Sequence, residues 1–149
     1  MSEIEIRKAF YQFYSGINEM LNKGNLTLLE EIWSHADDVV NVSPFGTREI
    51  GWNEIRKLLE TIATMEMGGR VEPRDLVIRV FGDLGYAFCI QRCEHLNAEG
   101  QRVDEDIRAT SIFRREDGKW RLIYHHADFS PVLEKAYKEF PMRVEVATD

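Results

Sequence analysis

The residues best equipped for chemistry lie on a hairpin late in the chain. Two consecutive histidines, His125 and His126, follow Tyr124 on one arm, and Ser111 lies on the other. An imidazole titrates near about 6.5 in water, which suits proton transfer at neutral pH. The arms, 107–114 and 120–128, are joined through Asp117-Gly118, a strong hairpin signal between alternating apolar runs. Side chains alternate along a strand, so His125 and His126 must meet different surroundings. Ser43, just before the break at Pro44 to Thr47, is a second hydroxyl able to bond a ligand carbonyl or a neighbouring backbone group. No G-x-S-x-G pattern surrounds either serine, which argues against serine hydrolase chemistry.

Metal and thiol chemistry find little support. Cys89 and Cys93 fall in one strand-like run. Their backbones would lie about 13 Å apart, too far for a mutual disulfide, and the spacing does not match C-x-x-C. They are expected to pack on one face as small apolar groups. His35, Asp37 and Asp38 are adjacent, but a polar run in a loop is a weak ligand set. Neither a metal nor another cofactor is expected.

The elements that must position these groups follow from periodicity. Residues 4–22 carry Phe10, Phe13, Tyr14, Ile17, Met20 and Leu21 at helical spacing, ended near Gly24. A shorter helix covers 26–34, a short strand 39–43, and a third helix 52–64 with Ile55, Leu58, Leu59 and Ile62 inward. Four strands follow at about 71–82, 85–96, 102–115 and 119–129. Helices first and antiparallel strands afterwards is an α+β pattern. Such strands are long against a typical 5 to 6 residues. A sheet of this length curls, and a curled sheet wrapped on three N-terminal helices makes a cone with a pocket between the layers. Tyr14, Trp33, Phe45 and Trp52 could wall that pocket. Residues 132–140 could form a short helix, and 142–147 alternate like an edge strand.

Composition bounds the function. The 149 residues make one domain, 44% apolar, with a net charge of −7. That charge argues against general nucleic-acid affinity, which needs a positive field. No apolar run reaches the roughly 18 residues of a membrane span, and the N-terminus lacks a signal pattern. A cytoplasmic protein is expected. Asp104 to Asp106 read as a solvated strand edge, with Arg92 and Glu94 pairing with charged neighbours.

Three segments carry a family resemblance: 21–38, Val42 to Gly46 with Gly51, and Thr110 through His126. Together they resemble the nuclear transport factor 2-like superfamily, specifically its SnoaL-like and ketosteroid-isomerase-like members, over about residues 5–130, with 131–149 as a tail. The last hairpin is also similar to the association domain of calcium/calmodulin-dependent kinase II. The resemblance implies a cystatin-like cone fold. It does not imply steroid isomerisation. Where that chemistry needs a carboxylate base and two oxyanion donors, this chain has Ser43, Ile17 and Ser111. The arginines lining the kinase-domain pocket correspond to Gln91, Ser111 and Ala127.

The resemblance also supplies a choice of face. It puts Ser111 and Phe113 on the pocket side, with Ile123, His125 and Ala127 on the last strand. His125 is then the candidate acid/base residue. Tyr14, Ser43, Trp52, Gln91, Ser111, Phe113 and Ile123 are candidate ligand contacts. The convex side of the sheet commonly forms a dimer interface in this family, which implies Thr110, Ile112, Trp120, Tyr124 and His126 as interface residues. Two functions follow as expectations. One is binding of a moderately apolar organic molecule, with cofactor-free isomerase, dehydratase or cyclase chemistry through His125. The other is a non-catalytic assembly module whose pocket is filled.

Overall fold

In the computed structural model, which describes residues 2–139, three helices cover one face of a single curved sheet. The first helix, α1, runs Ser2–Lys23 and buries Ile6, Phe10, Phe13, Tyr14 and Met20 along one stripe. Gly24, at φ +66, ends it in a left-handed conformation that costs glycine little. Two further helices follow, α2 (Thr27–Ile32) and α3 (Trp52–Thr64). Between them lie β1 (Val40–Val42) and β2 (Arg48–Ile50), an antiparallel pair. The sequence reading had the first of these strands and missed the second. The long strands are β3 (Arg70–Phe81), β4 (Leu84–Leu96), β5 (Arg102–Glu116) and β6 (Lys119–Asp128).

The sheet order is β2-β1-β6-β5-β4-β3. Neighbours run antiparallel except β1 beside β6, which is parallel and sets Asn41 opposite His125. Two irregularities bend the long strands. In β3 the register shifts between Arg74 and Val77, with Asp75 at φ +55. In the last hairpin Ile112 faces Tyr124 while Phe113 faces Leu122, so Ile123 is an extra residue. Such bulges increase local twist and curl a sheet. The hairpin tip has Asp117 and Gly118 both at positive φ, as a two-residue turn of the favoured hand requires.

The Ile123 bulge reverses the alternation of β6. Below it Trp120 and Leu122 point to the helices; above it His125 and Ala127 do. Two expectations are corrected by this. Ile123 is not in line with His125 on the pocket face. Trp120 is not on the convex face: it is buried, and its indole Nε1 donates to Glu5 Oε2 on α1 at 2.9 Å.

After β6 comes α4 (Pro131–Glu139), the short helix expected in the tail; the expected edge strand at 142–147 lies outside the described residues. Among the described residues, no helix is long and apolar enough to cross a membrane.

Candidate functional site

Between the concave face and the helices lies a cavity of about 330 Å³. Its apolar wall comes from α1 (Phe13, Ile17, Met20), α2 (Leu29), α3 (Leu58, Leu59, Ile62) and Trp33. The sheet contributes Asn41, Gln91, Cys93, Ile107, His125 and Ala127. Ser43 and Phe45 reach it from the β1–β2 turn. These side chains share the cavity because alternation turns every second residue of each strand inward. The rule that brings Ser43 inward also brings Asn41, which the sequence reading passed over.

His125 is 5% exposed. Its Nδ1 lies 3.0 Å from Ser111 Oγ, its cross-strand partner, and its ring meets Phe13 edge-on at 4.6 Å. Burial, with a smaller contribution from His126, pushes its pKa down to about 3. A titration near neutrality is therefore corrected: this imidazole is uncharged at physiological pH. Ser111 is itself buried behind the histidine and holds the ring instead of lining the cavity.

Gln91 is held by a second buried network. Tyr14 donates its hydroxyl to Gln91 Oε1 at 2.8 Å and lies 3.2 Å from Cys89 Sγ. Burial raises the Tyr14 phenol well above its ordinary value and the Cys89 thiol to about 11, so both stay protonated. Burial also raises the Cys93 thiol at the cavity wall. Both cysteines are free. Asn41 Nδ2 donates to Glu49 Oε1 at 2.9 Å. Ser43 Oγ is 2.6 Å from Thr47 Oγ1 and accepts from Phe45 N, so its hydroxyl serves the turn.

Charged lining groups sit on half-buried or exposed positions and have partners. Glu94 pairs with Arg102 at 2.9 Å and His95 with Glu105 at 3.4 Å. The acidic stretch of β5 also engages Arg92, through Asp104 and Asp106. Asp38 makes a two-point ion pair with Arg114, which holds its carboxyl below the usual range. His35 stacks on Trp52 at 4.3 Å. Among the described residues, no three His, Cys, Asp or Glu side chains converge as metal ligands would.

Of the expected ligand contacts, the fold brings Ser43, Gln91 and His125 to the cavity. Tyr14 and Ser111 stand one layer behind, and Phe113 is fully buried core. Trp52 packs on His35, away from the cavity, and Ile123 occupies the bulge. Thr110, Ile112, Tyr124 and His126 share the opposite, convex face with Tyr86, Phe88 and Val77.

The SnoaL-like domain family model matches residues 10–132. Among solved structures, a candidate dehydratase of the NTF2-like family from Streptomyces avermitilis shares 21% identity at a TM-score of 0.72, with 87% of this chain and 97% of that one covered. An NTF2-like protein of unknown function from Pseudomonas putida KT2440 shares 22% at 0.73, covering 89% and 90%. A candidate ketosteroid isomerase from Shewanella frigidimarina shares 17% at 0.65, covering 81% and 92%. No curated protein matches. Likeness at these identities is likeness of fold, whereas the family match spans most of the chain: this protein belongs to the SnoaL-like domain family.

Proposed function

We propose that the chain binds a small, moderately apolar organic molecule in the cavity between sheet and helices. The observation that carries this reading is an apolar hollow of about 330 Å³ whose polar wall groups, Asn41, Gln91 and His125, are neutral and already oriented by partners. That volume falls in the range of small-molecule sites, roughly 300 to 1,000 Å³. Phe45, Trp52, Phe113 and Ile123 do not fill it, as a vestigial pocket would require. If the protein is an enzyme, the names of two structural neighbours, a candidate dehydratase and a candidate ketosteroid isomerase, favour dehydratase- or isomerase-type chemistry. His125 would then act as a neutral hydrogen-bonding group, since an imidazole with a pKa of about 3 is a poor proton shuttle near pH 7.

Native mass spectrometry and binding titrations against a panel of small neutral organics test the reading. Ile17→Trp, which fills the hollow from α1, should abolish binding while circular dichroism stays unchanged. Binding that survives this substitution, or no binding by the wild-type protein, defeats it.

We further propose a homodimer through the convex face. Cross-strand registers line up Val77, Phe88 and Thr110 in one row and Tyr86, Ile112 and Tyr124 in the next, giving an apolar surface in the middle of the sheet.

A further inference from the structure

The hydrogen-bond bookkeeping behind the cavity points to the class of ligand, on the premise that the cavity binds one. Ser111 is 1% exposed, and the described residues contain no buried side-chain nitrogen or oxygen without a partner. The partner of its hydroxyl is His125 Nδ1. A hydroxyl proton buried there has an acceptor only if that nitrogen is unprotonated. Ser111 therefore donates to Nδ1, and the neutral ring must carry its hydrogen on Nε2. That nitrogen is the one left for the cavity.

The second network is polarised the same way. Cys89 S–H can donate to the Tyr14 oxygen, Tyr14 donates to Gln91 Oε1, and the amide of Gln91 is left with its Nε2 hydrogens. Gln91 lies on β4 and His125 on β6, flanking β5. Two chains of hydrogen bonds thus end in N–H donors at separate points of one apolar wall. Asn41, beside His125, is oriented by the one Nδ2 hydrogen it gives to Glu49, and its Oδ1 accepts no protein hydrogen bond among the described residues. The charged groups on the cavity wall, Glu94, Glu105 and Arg70, already have ion-pair partners on partly exposed positions. The buried Glu49 carboxylate behind Asn41 accepts that amide, so a charged ligand group finds no unpaired counter-charge on the wall itself.

We propose that the cavity recognises an uncharged, largely apolar carbonyl compound through the N–H donors of His125 and Gln91, with Ser111 as the positioning residue that fixes the donor tautomer of His125. This places the burden of selectivity on hydrogen-bond polarity. The N–H groups of His125 and Gln91 stay unpaired against a ligand that brings no acceptor, so such a ligand binds less tightly.

Long-range nitrogen-15 correlation spectroscopy of the unliganded protein reads the tautomer directly, with His125→Gln assigning the signal. Nδ1 should appear unprotonated and Nε2 protonated. Ser111→Ala should give a tautomer mixture, and Ser111→Thr, which keeps the hydroxyl, should restore the single form. A wild-type ring protonated on Nδ1 overturns the inference and leaves ligand binding untouched. Titration with an octanone, octane and protonated octylamine completes the test. The ketone should bind about tenfold more tightly than either and move the His125 Nε2 proton resonance. Preferential binding of the amine or the alkane overturns the inference while supporting a ligand site. Failure of all three to bind defeats the ligand-binding reading and the ligand class with it.

Discussion

At the scale of single residues, burial decides what His125 can do. The ring sits between Phe13 and Ser111, out of water, so the protonated form is disfavoured and the folded pKa falls to about 3. In the unfolded chain the same group takes a proton near about 6.5. Between those values the unfolded state binds more protons, so stability falls as the pH drops from 6.5 toward 3. His125 alone should cost about 2 kcal/mol between pH 7 and pH 5. Urea unfolding of wild type and His125→Gln at the two pH values isolates the effect. An equal pH dependence in both proteins would show that the ring is not desolvated. Ser43 teaches the opposite lesson: a hydroxyl at the cavity edge is spent on its own turn through Thr47 and Phe45. Ser43→Ala should therefore leave ligand affinity within about twofold in the same binding titrations, at a stability cost of about 1 kcal/mol.

At the scale of elements, one extra residue rewrites a strand. The bulge at Ile123 turns Trp120 inward, where its ring is covered by α1 and anchored to Glu5, with the Arg115 guanidinium 4.8 Å from its centre. Trp120→Ala should cost about 3–5 kcal/mol in denaturant unfolding, as expected for a core aromatic, without loosening any dimer. Its place in α1 packing also explains Gly85. A methyl there would run into Cδ1 of buried Ile6 and come 3.0 Å from the carbonyl of Arg79. Gly85→Ala should destabilise by about 1–3 kcal/mol through overpacking of α1 on β4. A thermal midpoint equal to wild type would mean that α1 sits less closely on the sheet than it does here.

At the scale of the whole molecule, the sheet has two unlike faces. The concave one encloses a largely apolar hollow, and the convex one carries rows of half-buried Phe88, Ile112 and Tyr124 without a covering layer among the described residues. Aromatic and apolar groups at the centre of a surface are where association energy concentrates. Ile112→Glu should shift the mass seen by sedimentation from dimer to monomer while the circular dichroism spectrum is retained. A wild-type protein that sediments as a monomer at high concentration removes the convex face as an interface.

Helices, long strands and the Asp117-Gly118 hairpin were legible in the sequence because each rests on short-range periodicity or turn chemistry. The inward direction of Ser43, Gln91 and His125 came from the family resemblance, which chose between the two faces that alternation leaves open. The reading failed at Trp120 and Ile123 because a bulge carries no local signature in this stretch, and a single extra residue flips every side chain beyond it. The parallel pairing of β1 with β6, which sets Asn41 beside His125, joins segments more than 80 residues apart and is invisible to any local pattern. Sequence alone therefore determined the helices and the long strands, and the resemblance chose their faces. Only the tertiary structure decided which polar groups meet, and so whether an imidazole that titrates near neutrality in water would be charged or neutral where it stands.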